Sequence, residues 1–333
     1  MAPLFPQLGP NETLVGIARL AAAGEVLKEG HNVEYFSIEN RSVLCRCTSK
    51  RMPFRWTINP YRGCEFACKY CYARYTHEFM EMRNGVDFER KIYVKQHTGW
   101  LLRQELKKVR TGESIAIGAA TDPYQPAERR FEITRALLEE LARHSGLHVG
   151  LITKSTLILR DLELLKAVAR QNRLGVYVTI TTLDTDLARL LEPRAPRPDL
   201  RLKTVQTLTE AGLNVGVSCS PVLPGITDSP AALESMVKAA AEAGAKSLFA
   251  NPLFLKPCSE QVFMPFLREH FPELVPMYEK RYSGRAFLPA EYHRRISALV
   301  SKLREKYGIR SREERQQTVS AEQRGPEQLR LFV

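Results

Sequence analysis

Residues 58–79 read INPYRGCEFACKYCYARYTHEF and place three cysteines, Cys64, Cys68 and Cys71, within eight positions. A structural zinc site takes four protein ligands, and a disulfide takes two. Three thiols with no fourth nearby satisfy neither. Thiolates are soft ligands that select iron–sulfur clusters, zinc or copper. A cubane cluster has four irons, so three cysteines leave one iron open to bind something else. The same spacing would also put the thiols on one face of a helix as incidental residues. The turn-like PYRGCE ahead of them argues against that, and Tyr61, Phe66, Tyr70 and Tyr72 supply aromatic cover from water.

Outward from this stretch the chain alternates. SIAIGAAT (114–121), HVGLITKS (148–155), LGVYVTITTL (174–183), NVGVSCSPVLPG (214–225) and KSLFANPLFLKP (246–257) are short, nearly continuous apolar runs. Each reads as a strand covered on both faces. Between them TRALLEELARH, LRDLELLKAVARQ, RLKTVQTLTEAG and PAALESMVKAAAEAG read as amphipathic helices, several closed by a glycine. With RWTINPYRG (55–63) as the first strand, six strand–helix units span residues 51–258. Buried parallel strands alternating with helices make a doubly wound sheet or a barrel, and six units fit a partial (β/α)6 barrel. Chemistry in such folds gathers at the C-terminal ends of the strands. Thr121 and Asp122, Lys154 and Ser155, Thr179 to Thr182, and Ser218 to Ser220 fall there.

The flanks read differently. Residues 1–50 form a poorly patterned lead-in with one helical run, ETLVGIARLAAAGEVL. Residues 259–308 read as a helical cap, and 309–333 as a mobile, charged and Gln-rich tail. The chain has 333 residues, 44% of them apolar and 26% charged, a soluble globular composition. It lacks the roughly 18 unbroken apolar residues of a membrane helix. Its first twenty residues carry no secretory pattern, so a cytoplasmic location without membrane partners is expected. Its seven cysteines are then ligands, reactive thiols or core residues rather than disulfides. Lys and Arg outnumber Asp and Glu by 49 to 37, a formal +12 that suits an anionic partner such as nucleic acid. A generally basic surface, or a patch that docks an acidic electron-transfer protein, would give the same excess.

CxxxCxxC followed by the aromatic Tyr72, after the first strand of a partial barrel, resembles the signature of radical S-adenosylmethionine (radical SAM) enzymes. TINPYRGCEFACKYCYARYTHEF, GAATDPYQPAERRFEITR, LITKS, TITTLD, EPRAPRPDLRL and SPVLPGITDS further resemble the branch related to spore photoproduct lyase, which repairs a thymine dimer in DNA. The resemblance implies that Cys64, Cys68 and Cys71 hold a [4Fe–4S] cluster whose fourth iron is chelated by S-adenosylmethionine. It implies reductive cleavage of that cofactor to a 5′-deoxyadenosyl radical that abstracts hydrogen from a substrate. By the same likeness Tyr72 packs near the cofactor, Thr121 and Asp122 lie where the methionyl amine is held, and Lys154, Ser155 and Thr181 face its ribose and carboxylate. A flavodoxin or ferredoxin would supply the electron. The lyase returns hydrogen from a cysteine just after its second strand, and here Ala120 falls at that place. Cys219 and Cys258 are the candidate replacements, with a small core residue the alternative for each. Cys45 and Cys47 read as free thiols; a second cluster with Cys219 and Cys258 would require the fold to gather all four.

Two smaller features complete the reading. EPRAPRPDLRL (192–202) suggests that Glu192 pairs with an arginine and leaves another arginine free for a ligand. The terminal Gln328, Leu329, Leu331 and Phe332 resemble the short peptide by which DNA polymerases and repair proteins dock on the sliding clamp, or else fold back on the barrel. The expected function is therefore radical SAM chemistry on nucleic acid. The alternatives are the same chemistry on a small molecule or peptide, and a non-enzymatic iron–sulfur binding or sensor module.

Overall fold

The structure is a computed structural model and describes residues 14–310 apart from 31, 50 and 51. Gln328, Leu329, Leu331 and Phe332 lie outside the described residues. In chain order the strands are β1 (Val26–Gly30), β2 (Val33–Ile38), β3 (Leu44–Arg46), β4 (Trp56–Ile58), β5 (Tyr61–Arg62), β6 (Lys91–Lys95), β7 (Ser114–Ile117), β8 (His148–Thr153), β9 (Arg173–Thr179), β10 (Val215–Val222) and β11 (Ser247–Pro252). Strands β4, β7, β8, β9, β10 and β11 run parallel in sequential order, and β3 pairs antiparallel at the β4 edge. That is the partial barrel expected from the alternation.

Its two faces are built differently. Val176 and Val178 on β9, and Val215, Val217 and Cys219 on β10, share one apolar core with Leu165, Val205 and Leu208 of the surrounding helices. Period-two alternation puts Gly175, Tyr177 and Thr179, and Gly216 and Ser218, on the opposite, inner face. There the Tyr177 ring lies where a Cβ on Gly175 or Gly216 would come within 3.0 and 3.1 Å of it. It meets Phe249 edge-on at 5.7 Å. One aromatic pair thus fills the inside of the sheet, with the buried hydroxyls of Thr179 and Ser218 one step nearer the strand ends.

Helix starts follow local chemistry. Ser229 accepts a hydrogen bond from Ala232 N at 3.2 Å ahead of helix Pro230–Glu242, whose proline sits where no N–H is needed. Asp184 caps Thr185–Leu191 in the same way, accepting from Asp186 N and Leu187 N.

Both flanks depart from the sequence reading. The segment read as a poorly patterned lead-in holds helix Gly16–Ala22 inside its one expected helical run, and beyond that reading it contains strands β1, β2 and β3. Strands β1 and β2 form a hairpin whose turn residue Asn32 has φ 61°, and β2 pairs in parallel with β6 in a four-stranded sheet of order β1-β2-β6-β5. These strands are short and half-buried, and their partners are distant in sequence, so alternation is weak. At the other end, only part of the helical segment lies over the mouth. Helix Pro257–His270 places Ser259 against the cysteine loop, its Oγ donating to Cys71 O at 2.9 Å. Helix Ala290–Tyr307 instead lies along the barrel wall. Arg304 donates to Leu248 O on β11 at 3.2 Å, and Lys306 pairs with Glu234 at 2.6 Å. It is the sixth outer helix.

Because that helix walls the core, with Ile296 fully buried, Ile296→Ala is expected to cost about 2–5 kcal/mol of stability. Denaturant unfolding monitored by far-UV circular dichroism measures it; a loss well under 1 kcal/mol would mean that the helix is a detachable cap.

Candidate functional site

Strand β5 ends at Arg62, and the chain turns sharply through Gly63 at φ 84°. A Cβ at Gly63 would stand 2.7 Å from Lys91 O and 2.8 Å from Phe88 O, so only glycine fits. Cys64 then donates from its backbone to Phe88 O at 2.9 Å, Lys69 to Leu191 O at 2.9 Å, and Cys71 to Cys68 O at 3.2 Å. Cys64 and Cys68 therefore lie in successive turns, and the first helical turn, Tyr72–Arg74, begins after Cys71. Their spacing is not a helix face.

Side chains hold the loop from several directions. Buried Arg74 donates to Cys68 O at 2.9 Å and to Glu89 at 2.6 Å, and also to Gly85 O. Glu65 accepts from Ala127 N at 2.7 Å and from Tyr35 OH at 2.8 Å. Gln125 accepts from Glu65 N at 3.0 Å and donates to Gly63 O at 3.2 Å. Nothing in the residue types announced Arg74, Glu65 or Gln125 as supports. Their proximity in sequence to the cysteines, or to GAATDP, was the available signal.

The strand-end residues meet beside this loop. Asp122 accepts from Thr153 Oγ1 at 2.6 Å, Lys154 N at 2.7 Å and Tyr124 N at 2.9 Å, which ties the end of β7 to the end of β8. Burial raises the pKa of this carboxyl, while those hydrogen bonds oppose the rise. Thr121 Oγ1 donates to Gly63 O at 2.6 Å and accepts from Gln125 at 3.0 Å. Thr121 and Asp122 are thus committed to the protein and act by positioning. Ser155 is buried and accepts from Leu157 N at 3.2 Å, capping the turn Thr156–Asp161. Tyr72 donates its hydroxyl to Ala119 O and leans on Phe254, with ring centroids 6.2 Å apart.

Glu192 is the hub. It is buried, pairs with Arg201 at 2.5 Å, and accepts hydrogen bonds from Thr181 at 3.0 Å and from Tyr70 within the cysteine loop. Arg201 also donates to Pro196 O at 2.6 Å and Thr179 O at 3.1 Å. Burial works against the Glu192 carboxylate, but Arg201 and Lys154 outweigh it and hold its pKa below the usual carboxylate value. The expected pairing of Glu192 with an arginine is present. Arg197 pairs with Asp199 at 2.6 Å, and Arg194 is exposed. Thr181 serves the hub with its hydroxyl.

Lys154 stands among Cys68, Glu192 and Asp122, whose attraction outweighs burial and raises its pKa. Its ammonium makes no hydrogen bond or ion pair among the described residues and lies 5.7 Å from the Tyr70 ring centroid. It is a cation with bonding capacity to spare beside three free thiols. Burial, with Asp122 and the neighbouring cysteines, pushes the Cys64 thiol well up, and burial pushes Cys68 up to about 12 although Lys154 opposes it. Thiols this dry ionise only against a strong positive charge, which metal coordination supplies. Among the described residues no three His, Cys, Asp or Glu side chains converge as on a single ion. A cubane takes each thiolate on a different iron, and three thiols within one loop fit that need. The donor set and the spare ammonium therefore fit a cluster together with a carboxylate-bearing ligand.

Two candidate thiols separate here. Cys219 is buried on the outer face of β10 with Val215 and Val217, its thiol pushed up to about 12 by burial. It is a small core residue pointing away from the barrel interior, which removes it as a hydrogen donor. Cys258 is buried at the start of helix Pro257–His270, near Tyr75, whose phenol is raised by burial and then by Cys258. The four remaining cysteines are not gathered, because Cys219 lies on the far side of the sheet.

Residues 58–236 match the Radical SAM superfamily profile. An uncharacterized protein of Mycobacterium tuberculosis is 35% identical over 283 residues, covering 83% of this chain and 83% of its own length. An uncharacterized protein of Methanocaldococcus jannaschii is 28% identical over 237 residues, 70% of this chain and 83% of its own. Among solved structures, a variant of spore photoproduct lyase with bound AdoMet and dinucleoside spore photoproduct superposes with a TM-score of 0.63 at 15% identity. It covers 90% of this chain and 85% of that one. Another structure, the lyase complexed with the dinucleoside spore photoproduct, gives 0.61 at 13% identity, covering 82% and 79%.

Glu192→Ala is expected to cost about 3–5 kcal/mol at pH 7, because it leaves Arg201 buried and unpaired. The folded carboxyl has the lower pKa, so the contribution is complete above the unfolded value near ~4.3 and fades as pH falls below it. Denaturant midpoints of parent and Glu192→Gln between pH 7 and 3 check this; the gap should narrow only in the most acidic samples.

Proposed function

The chain belongs to the radical SAM superfamily, and on that footing we propose that its substrate is a nucleic acid lying across the mouth of the barrel. It is an enzyme that uses a [4Fe–4S] cluster and S-adenosylmethionine. When bound and reduced, the pair supplies a 5′-deoxyadenosyl radical that takes hydrogen from the substrate.

The chain's own residues do the holding. Cys64, Cys68 and Cys71 ligate the cluster, and Arg74, Glu65, Gln125 and Ser259 fix the loop that carries them. Lys154 offers its spare ammonium to the cofactor carboxylate, with Glu192 holding Tyr70 and Thr181 around it. Asp122 and Thr121 keep the strand ends in register with the loop, Ser155 lines the same edge, and Tyr72 walls it. The Tyr177–Phe249 pair packs on the inner face of the sheet, below the strand ends.

The observation that carries the substrate class is the strip beside Tyr72. The Tyr72 ring meets Phe254, which stacks on Phe287 at 4.4 Å, while Lys256 Nζ sits 3.8 Å over the Tyr75 ring. Aromatic faces interleaved with a cation suit stacked bases and a phosphate backbone. The net charge of +12 agrees. So does the fold likeness to a lyase whose structures hold a dinucleoside photoproduct. The position after β7 that holds a cysteine in the lyase is filled here by Ala120, so the lesion or base treated is a different one, or hydrogen returns from Cys258. The reading places the enzyme in the cytoplasm, reduced by a flavodoxin or ferredoxin, with the terminal Gln328–Phe332 peptide tethering it to a sliding clamp. No helix among the described residues is long and apolar enough to cross a membrane.

Fluorescence anisotropy with a labelled single-stranded oligonucleotide tests the reading. Phe254→Ala is expected to weaken binding about tenfold, within the roughly 1–3 kcal/mol of one stacked base. Lys256→Met should reduce the salt slope by about one. Binding indifferent to both changes and to salt would point to a small-molecule or peptide substrate. Separately, Lys154→Met should raise the KM for S-adenosylmethionine about tenfold or more while the visible spectrum of the cluster is retained. An unchanged KM would remove Lys154 from the cofactor site.

A further inference from the structure

The small sheet carries an unexplained group of charges. On β6, Lys95 is only 6% exposed, yet its ammonium makes no hydrogen bond or ion pair with any described residue. Strand β5 pairs antiparallel with β6, Arg62 opposite Tyr93. Directly opposed residues share a face, and so do residues two apart on one strand. Arg62 and Lys95 therefore project from the same face as diagonal neighbours, about 7–8 Å apart at the backbone. Arg62 Nε is buried and also has no partner. Strand β2 pairs with β6 on its other side, Ile38 opposite Lys95, and Asn40 follows Ile38 by two residues. Both polar atoms of the Asn40 amide are buried and unpartnered.

Strands β5 and β6 thus bring a guanidinium and an ammonium to one sheet face, and the Asn40 amide follows just past the end of β2, each with bonding capacity unused. The surrounding groups do not neutralise them. The Glu105 carboxylate acts on Lys95 from a distance, but its Oε2 already accepts from Val43 N at 3.0 Å and Leu44 N at 2.8 Å. Tyr75, a phenol that burial keeps neutral at pH 7, stands nearby with Cys45. His77 has its pKa lowered by burial to about 4 and is neutral as well. A buried ammonium beside a part-buried guanidinium, with Glu105 acting only from a distance, is costly, and a protein retains such a pair where an anion completes the set.

We propose that Lys95, Arg62 and Asn40 form a binding site for a phosphate-type oxyanion, on the small sheet and distinct from the cofactor mouth. Lys95 supplies an ammonium and Arg62 its forked donors, the pair of groups that recognises phosphate oxygens. The Asn40 amide adds a neutral donor. Burial, with Arg62 beside it, lowers the Lys95 pKa to about 8, and an anion between them would reverse that destabilisation. Cys45, which stands near both cations, is exposed, and Arg62 is itself only part-buried, so the group borders solvent. The source is either a free phosphate ion or a phosphodiester of a bound strand. The site does not depend on nucleic acid being the substrate.

Isothermal titration of the full-length, cluster-loaded protein with inorganic phosphate, at constant ionic strength in chloride, tests it. The parent should bind, and Lys95→Met should bind at least about tenfold more weakly. Lys108→Met, a change of the same charge at an exposed position, should match the parent. A parallel titration with oligothymidylate separates the sources: loss in Lys95→Met for both ligands identifies a backbone phosphate, and loss for phosphate alone identifies a free-ion site. No binding of phosphate or oligothymidylate by the parent, or equal binding by Lys95→Met, overturns the proposal. Should Lys95→Met fold poorly, Asn40→Ala reports on the same site from the neighbouring strand, with the same outcomes read in the same way.

Discussion

A carboxylate taken out of water must be repaid by its neighbours, and Glu192 draws four segments together to do so. Arg201 comes from the helix after it, Thr181 from the end of β9, Tyr70 from the cysteine loop, and Lys154 from the end of β8. Removing water from these charges makes each interaction stronger and each missing partner more costly. The cysteine loop has little regular structure of its own, since it turns at Gly63 and again at Ala67, which has φ 56°. Its position is therefore imposed from outside, by this hub on one side and by Arg74 on another. Three thiols keep a fixed spacing because charges several residues away in space allow no other.

Much of this was legible in the sequence because it depends on local patterns. Continuous apolar runs such as HVGLIT and LGVYVT need cover on both faces, and the intervening helices follow from their own periodicity, so the parallel barrel follows. The three cysteines were legible because their chemistry is restrictive. The small sheet was not, since β2 gains its place from β6, more than fifty residues away, and neither strand has a strong alternation of its own. Burial of Lys95 and Asn40 is invisible in sequence for the same reason. The direction of Cys219 also needed register: one residue along β10 decides between the barrel interior and the helical layer. Thr121 and Asp122 follow the end of β7, and their side chains turn to Gly63, Thr153 and the Lys154 backbone. A hydroxyl or carboxylate at a strand end satisfies the nearest buried donor or acceptor first.

The molecule divides its charges between two regions. Around the cysteines, cations are paired or held by neighbouring acids, with Lys154 the one poised toward a ligand. On the small sheet, Lys91 pairs with Asp87, while Lys95 and Arg62 have no acid in direct contact among the described residues. Between them lies the aromatic strip of Tyr72, Tyr75, Phe254 and Phe287, which offers faces rather than charges.

The central claim is that three thiols and a vacant iron position form a seat for S-adenosylmethionine. The most direct measurement reconstitutes the cluster anaerobically in the parent and in Cys68→Ala, counts iron, and assays 5′-deoxyadenosine after adding the cofactor and dithionite. The account predicts about four irons per chain in the parent, deoxyadenosine from the parent, and neither a full cluster nor product from the variant. A parent that assembles no cluster, or a Cys68→Ala variant that cleaves the cofactor as well as the parent does, would contradict it.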